Sequence, residues 1–546
     1  MSDPLSKFYH WEKNTPGKLL FHQPLSTGPK AWTYGEAGTE IRKIATALKD
    51  LNLAPRTKVA LLSKNCAHWM MADLAIWMAG HISVPIYPTL SANAVRQILE
   101  HSESKLIFIG KLDDYENQKD GIPSDLIKIS FDTYGITEGR KWSDLISKYS
   151  PIADPEKWDR HEVATIKYTS GTTGLPKGVM ISMHAIDNAL SHAFPILGTG
   201  PDDRFFSYLP LSHIAERMLV EFGGIYNGAS IYFSESLDKF AGNLAQAQPT
   251  VFLAVPRIWA RFREKILEKI PQKRLNTLLS IPLVNMLIKR TIRKNLGLIK
   301  CNWALTGASP ISVELLEWYS RLGITIREVY GMTENLAWAT SNVKDIRFGT
   351  IGKPWANVQF RLSAIGEIQT KSDSVMSGYY KSADLTKECF TDDGFLRSGD
   401  VGVIDNEGFI TITGRIKDQF KTDKGKYIAP LPIELKFSSN PDVEQVCVVG
   451  MGVPQPIALI VLSAAGRSKN KKEISESLSQ SLEEINKDLE NYERLNAAVI
   501  MNGDWTIENG LLTPSLKVKR NEVEKIHLPK YPHWYELGKK VVWQND

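Results

Sequence analysis

Cysteine is scarce in this chain: four residues in 546, Cys66, Cys301, Cys389 and Cys447. They lie far apart with no pair at metal-ligand spacing, which argues against a disulfide framework and a zinc site and favours a reducing compartment. No apolar run approaches the length needed to span a bilayer, and the opening MSDPLSKFYHWEKN has no apolar core of a signal peptide. A cytoplasmic location is therefore expected, with peripheral contact at the inner face of the membrane left open. Charge of one sign is also in short supply: 66 Lys and Arg against 61 Asp and Glu leave +5, too little for a chain of this size to imply a nucleic-acid partner. Internal repeats and long low-complexity tracts are missing as well.

The composition, 43% hydrophobic and 23% charged, is that of a folded globular protein. The length suits three to four folding units. In the first third, short apolar runs alternate with helical patterns: KVALLS, a stretch at 68–78, HISVPIY, a stretch at 91–101, and KLIFIG. Such alternation predicts parallel α/β sheets. Ser91 is the expected N-cap of its helix, with Val95, Ile98 and Leu99 facing inward. Further strand-like runs follow at VATIKYT, GVMISM, RFFSYLP, ASIYF, TVFLAVP, NWALTG and ITIREVY, too many for one mononucleotide fold.

Near Thr413 the composition shifts. GRIKDQFKTDKGKYIAP reads as a polar linker, followed by two strands, VEQVCVVG and IALIVLS, and a charged helix with Ile474, Leu478, Leu482, Ile485 and Leu489 at helical spacing. The expected architecture is α/β: a large N-terminal domain of several subdomains over 1–413 with mostly parallel sheets, a hinge and linker over 414–430, and a small mobile α+β domain over 431–546.

The most informative segment is YTSGTTGLPKGV at 168–179. Gly171 and Gly174 let the backbone turn tightly toward anionic oxygens, Ser170, Thr172 and Thr173 offer hydroxyls, and Lys177 adds a mobile charge. Such a loop suits a polyphosphate. The G-x-x-x-x-G-K-[ST] spacing is not present, so this is not a Walker A loop.

YTSGTTGLPKGV resembles the phosphate-loop signature of the adenylate-forming superfamily, which includes acyl-CoA synthetases, firefly-type luciferases and nonribosomal adenylation domains. The resemblance continues in order through PLSHIAERM, LTGASP, YGMTEN, SGDVG, GRIKDQFK and TPSLKVKR, spanning 168–520. PLSHIAERM, VPRIWARF and YGMTEN are together similar to the long-chain fatty acyl-CoA synthetase branch. The implied reaction activates a fatty acid with ATP and Mg²⁺ as an acyl-adenylate and transfers the acyl group to coenzyme A.

The resemblance also implies residue roles. Thr169, Ser170, Gly171, Thr172, Thr173, Gly174 and Lys177 would cradle ATP phosphates, with Thr172 also near the metal. Gly307 and Ala308 of LTGASP would wall the adenine and acyl sites, and Tyr330 beside Gly331 would stack on adenine. Thr333 would donate to the α-phosphate and Glu334 would hold Mg²⁺. Asp400 would accept the ribose hydroxyls from a loop, with Arg415 near ribose and phosphate. His213 would stand near the acyl carboxylate, where a purely structural histidine is an equal reading. Lys517 would reach the reacting carboxylate and α-phosphate, with Lys519 and Arg520 as competitors for that role. Lys417 would be the hinge, and Lys424, Gly425, Lys426 and Tyr427 would flank the coenzyme A path.

For the acyl chain, Phe222, Gly223, Gly224 and Trp259 are candidate tunnel walls, or else ordinary core. The basic amphipathic stretch 273–300 reads first as a helix packed on its own domain, with docking on an anionic membrane as the alternative. A homodimer is left open. Besides the coenzyme A ligase, two other functions are carried: an acyl-adenylate ligase loading a carrier protein, and a nucleotide-binding scaffold without catalysis.

Overall fold

The computed structural model describes residues 3–169, 176–437, 439–513 and 516–546. Two large sheets carry the N-terminal domain. One has eight strands, with Val163–Thr169, Ile82–Ile86, Lys58–Leu62, Leu106–Ile109, Ile127–Ser130 and Arg140–Lys141 running parallel. The antiparallel strands Lys177–Ser182 and Gly378–Tyr379 complete it at the Val163–Thr169 side. The second has nine strands, with a parallel centre built from Ile326–Tyr330, Trp303–Thr306, Val251–Leu253, Arg204–Ser207, Ser230–Phe233 and Leu19–Gln23. The expected strands occur where the apolar runs predict them.

Helix Ala67–Met78 has no polar face: His68 and Asp73 are its only polar residues, and every residue is buried. A helix without a polar face must be enclosed on every side. Its side chains join residues of both large sheets, such as Val59 and Leu61 of one and Phe21, Phe205 and Ile231 of the other, in a single core. Helix Ala92–Ser102 starts at the predicted cap, where the Ser91 hydroxyl accepts from the Ala94 N–H, and buries Val95, Ile98 and Leu99.

The sequence pattern did not reveal a third sheet, the antiparallel set Gln359–Leu362, Glu367–Lys371, Leu396–Ile404 and Ile410–Arg415. The segment expected to be plain linker is therefore partly ordered: Arg415 ends a strand, and Phe420–Lys421 pairs with Tyr427–Ile428 in a hairpin. The small C-terminal unit carries four strands, Val443–Val449, Ile457–Leu462, Ala498–Ile500 and Val541–Trp543. The predicted charged helix covers one face as Lys471–Lys487, burying Ile474, Leu478, Leu482 and Ile485. Arg257 and Arg261, on the large domain's helix Pro256–Lys269, both pair with Glu444 of the C-terminal sheet, Arg261 at 3.7 Å.

Candidate active site

The candidate residues gather at the ends of parallel strands of both large sheets, the usual place for ligands in open α/β sheets. Thr169 ends one strand, Thr306 another and Tyr330 a third. After Tyr330 the chain folds tightly back. A Cβ on Gly331 would stand 2.3 Å from the Ala337 carbonyl carbon, so only glycine fits. Ala308, Leu336 and Ala337 hold positive φ of 65°, 57° and 58°. Non-glycine residues in that region carry strain that the surrounding fold must impose. Gly307 is required by packing as well, since a Cβ there would meet the Val329 carbonyl oxygen at 2.9 Å.

Tyr330, Asp400 and Arg415 form one hydrogen-bonded group. The Tyr330 hydroxyl donates to Asp400 Oδ2 at 2.6 Å, and Arg415 Nε donates to Oδ1 at 2.7 Å. Asp400 lies on strand Leu396–Ile404 rather than on a loop, directly opposite Arg415 in the ladder. Burial, then the adjacent carboxylate, pushes the Tyr330 phenol well above its ordinary pKa, which keeps it a donor.

A second group forms around the turn Thr333–Asn335. Glu334 is buried, and its Oε1 accepts from the Tyr379 hydroxyl at 2.7 Å. Lys177 Nζ lies over the Tyr379 ring, 5.4 Å from its centre. Thr333 Oγ1 accepts from Lys167 Nζ at 3.3 Å. Lys167 is 2% exposed, and burial lowers its pKa to about 7, with Arg217 acting in the same direction and Glu334 opposing. Sequence reasoning passed over Lys167. Its position in the strand just before the phosphate loop was the available signal.

His213 opens a short helix, where its Nδ1 accepts from the Ala215 N–H at 3.2 Å. That bond leaves the ring proton on Nε2. Burial, reinforced by Lys167 and Lys517, depresses the imidazole to about 3, so the ring stays neutral at physiological pH. The neighbouring Glu216 and Arg217 are buried supports. Arg217 bridges Asp73 at 2.5 Å and Glu221 at 3.3 Å, and Glu216 Oε1 accepts from the Tyr208 N–H at 2.9 Å.

Lys517 faces the same cleft. It keeps an exposed surface, yet the neighbouring protein lowers its ammonium to about 8 by desolvation, Arg415 adds to the effect, and Asp400 and Asp418 oppose it. Of its two competitors, Arg520 is engaged elsewhere. Lys519 begins helix Arg520–His527, and Arg520 binds Glu434 at 2.5 Å and the Val448 carbonyl inside the C-terminal unit.

Lys417 sits in the short turn Ile416–Asp418 between strand Ile410–Arg415 and the hairpin. Lys424, Gly425, Lys426 and Tyr427 form the hairpin's exposed end, where Gly425 takes a φ of 77° and Thr422 N–H donates to the Lys426 carbonyl at 2.9 Å. No described hydrogen bond or ion pair joins this end to Asp400. Ser170, Gly171, Thr172, Thr173 and Gly174 lie outside the described residues.

Mg²⁺ prefers hard oxygen ligands and commonly uses one or two carboxylates together with substrate phosphates. Glu334 fits that role: a buried carboxylate with one oxygen held by Tyr379 and no described donor on the other. Among the described residues no three His, Cys, Asp or Glu side chains gather into a metal cage.

An apolar cavity of about 80 Å³ adjoins these groups. Ala189, Ala193, Phe194, Met218, Trp338 and Trp355 contribute to its walls, and every lining side chain is apolar. Trp338 and Trp355 stack at 3.9 Å between ring centres. Phe222 and Trp259 take the ordinary-core reading: both are buried in apolar clusters and neither lines the cavity. Gly223 acts indirectly, because a Cβ there would strike the Phe194 ring at 2.0 Å.

Comparison with known proteins adds three findings. A family model described as AMP-binding enzyme matches residues 8–380, and one described as AMP-binding enzyme C-terminal domain matches 417–529. The long-chain-fatty-acid--CoA ligase FadD15 of Mycobacterium bovis is 27% identical, with 94% of each chain covered. The long-chain-fatty-acid--CoA ligase ACSBG2 of Rattus norvegicus is 30% identical over 78% of this chain and 72% of its own. Among solved structures, the adenylation domain of a carboxylate reductase from Mycobacterium chelonae superposes with a TM-score of 0.82 at 22% identity, covering 98% of this chain and 91% of that one. The chain thus has the fold of the adenylate-forming enzymes.

Proposed function

This chain belongs to the family of AMP-binding enzymes, and from that premise we propose that it is an acid–thiol ligase that activates a long-chain fatty acid with ATP and passes the acyl group to coenzyme A. One observation carries the reading: the all-apolar cavity is continuous along the chain with three polar segments of the site, those of His213, Gly307 and Tyr330 to Glu334. Leu305 precedes Thr306 and Gly307, Val329 precedes Tyr330, Leu336 and Ala337 follow Glu334, and Ala215 follows His213 by two residues. An alkyl chain lying in the cavity would present its carboxylate to those loops.

In the first step a carboxylate oxygen of the acid attacks the α-phosphorus of ATP, the bond to the bridging oxygen breaks, and pyrophosphate leaves. Attack of an anion on an anion needs cations and donors aimed at the developing charge. Lys167, Lys177, Arg415 and Lys517 supply cations, Thr333 supplies a hydroxyl, and neutral His213 can donate from Nε2. Mg²⁺ held by Glu334 and, in the family's pattern, by Thr172 would add charge neutralisation of the phosphates. In the second step the thiol sulfur attacks the acyl carbonyl, its proton goes to solvent, and AMP leaves. The pivot at Lys417 would exchange Lys517 for the thiol path beside Lys424, Gly425, Lys426 and Tyr427.

A carrier-bound phosphopantetheine presents the same thiol, so mass analysis of products separates the acceptors. ATP, palmitate and coenzyme A should yield palmitoyl-CoA, AMP and pyrophosphate. Accumulation of palmitoyl-AMP without thioester would support the carrier-loading reading instead. No nucleotide turnover with any acid would leave only the scaffold, against which Lys177, Glu334, Asp400 and Lys517 stand together.

A further inference from the structure

Lys517 belongs to the small unit 431–546, so its place beside Asp400 and Arg415 depends on how that unit sits on the large domain. Among the described residues, both ion pairs that join 3–413 to 431–546 end on Glu444. Arg257 meets Glu444 Oε1 directly, and Arg261 Nη2 stands 3.7 Å from the same oxygen. The Arg257 and Glu444 side chains are only 29% and 20% exposed, so water screens this pair less than an open surface pair. Arg257 Nε is buried with no acceptor among the described residues, and no other carboxylate there pairs with this guanidinium. Loss of Glu444 would leave a partly buried cation uncompensated. Glu264 on the same helix is near enough to feel Glu444: its carboxyl is raised first by burial and then by that neighbour.

A short path leads from Glu444 to Lys517. Glu444 lies on strand Val443–Val449. Further along that strand Val448 donates its N–H to Glu434 Oε1 at 2.7 Å, and its carbonyl accepts from Arg520, which also pairs with Glu434. Arg520 is three residues from Lys517. On the other side of Lys517, Val518 bridges to Leu512, which is packed in one cluster with Cys447 and Val449 of the same strand. The Thr513 N–H closes the intervening turn by donating to the Lys517 carbonyl at 2.8 Å.

We propose that the Arg257–Glu444 pair, reinforced by Arg261, is a positioning contact: it holds the small unit in the orientation that brings Lys517 to the adenylation site, and it opens before the thiol step. Glu444 touches no reacting atom and acts through Lys517. The proposal rests on the ligase reading, in which Lys517 serves the first half-reaction alone. Arg257 stands at the start of the helix that follows strand Val251–Leu253, and Leu253 lines the apolar cavity. The contact therefore ties the strand that walls the cavity to the unit that carries the lysine.

The test measures the two half-reactions separately in the full chain, with palmitate and ATP for pyrophosphate exchange, and premade palmitoyl-AMP with coenzyme A for transfer. Glu444→Gln should lower exchange at least about fivefold and Glu444→Arg at least about tenfold, the scale of a coupling carried by a partly buried ion pair. Both should keep the thermal melt and transfer from premade palmitoyl-AMP at the parent rate or faster. Reversing the charges in Arg257→Glu/Arg261→Glu/Glu444→Arg should restore exchange to within about threefold of the parent, because neighbouring sites couple. Parent-like exchange in both single variants, equal loss of the two half-reactions, or no rescue by the reversal would overturn the proposal. Amide hydrogen exchange needs no substrate: segments 256–269 and 443–449 should exchange faster in Glu444→Gln than in the parent. Unchanged protection of both segments would also overturn it. A protein whose protection changes in this way yet activates no acid would refute the ligase reading and leave the contact standing.

Discussion

Lys167 Nζ lies 3.3 Å from Thr333 Oγ1, joining the strand Val163–Thr169 to the turn that carries Glu334. Burial holds the amine at a pKa of about 7. An anionic polyphosphate beside it would favour the ammonium form.

Nucleotide binding should therefore draw in protons. At pH 8, calorimetry in buffers of different ionisation enthalpy should report proton uptake on binding ATP, with Lys167 and Lys517 both contributing. Lys167→Met should reduce the uptake and weaken ATP at least about tenfold, as for loss of a charge-assisted contact. Stability should move the opposite way. The unfolded amine titrates near 10.4, so its buried charge penalises the fold fully below pH 7, and the penalty falls as pH rises from 7 toward 10. Lys167→Met should thus raise the apo melting temperature more at pH 6 than at pH 9. Unchanged proton uptake in the variant would remove Lys167 from the nucleotide site.

Lys517 and Lys519 are separated by their surroundings, the first coupled to Asp400 and Arg415 and the second starting a helix. Lys517→Ala should abolish acyl-adenylate formation while leaving the enzyme able to make acyl-CoA from premade acyl-adenylate. Lys519→Ala should change both half-reactions by less than about fivefold, as for a surface helix start. The reverse pattern would shift the catalytic lysine by two positions.

Much of this arrangement was legible in the sequence, because apolar runs bounded by turn residues mark buried parallel strands without reference to partners. Helix 67–78 and the strands around it follow from that pattern alone. The antiparallel sheet 359–415 was not legible, since its strands alternate polar and apolar weakly and one bears the bulge at Val401 and Gly402. The candidate residues were readable where a motif marked them, as in YGMTEN, but not where a lone residue stood. A lysine at 167 carries no local mark of burial, and neither do the cavity walls. Ala189, Ala193 and Trp338 read as ordinary helix and loop residues until the fold brings them together.

Glu334 keeps one carboxylate oxygen on Tyr379. Glu334→Gln preserves that shape and removes the charge, so turnover at saturating Mg²⁺ should fall at least about a hundredfold, the scale of a lost transition-state electrostatic contact. Tyr379→Phe should cost less, because it frees the carboxylate without discharging it. Near-normal turnover of Glu334→Gln would reject the metal assignment.

Lys417 lies in the turn that leaves strand Ile410–Arg415. A pivot there needs a backbone dihedral that can change, and proline fixes φ near −65°. Lys417→Pro should keep exchange of pyrophosphate into ATP and lose transfer to coenzyme A, with an unchanged thermal melt showing that the fold survives. Full overall turnover in the folded variant would place the pivot elsewhere.

On the proposed ligase reading, a fatty acid is adenylated before any thiol is engaged. That order is tested most directly by exchange of labelled pyrophosphate into ATP across straight-chain acids of increasing length, with and without coenzyme A. Exchange should depend on the acid, need no coenzyme A, and rise from short acids to long ones as more of the chain is buried in the apolar cavity. Exchange that is absent without coenzyme A, or that is greatest with short or aromatic acids, would contradict it.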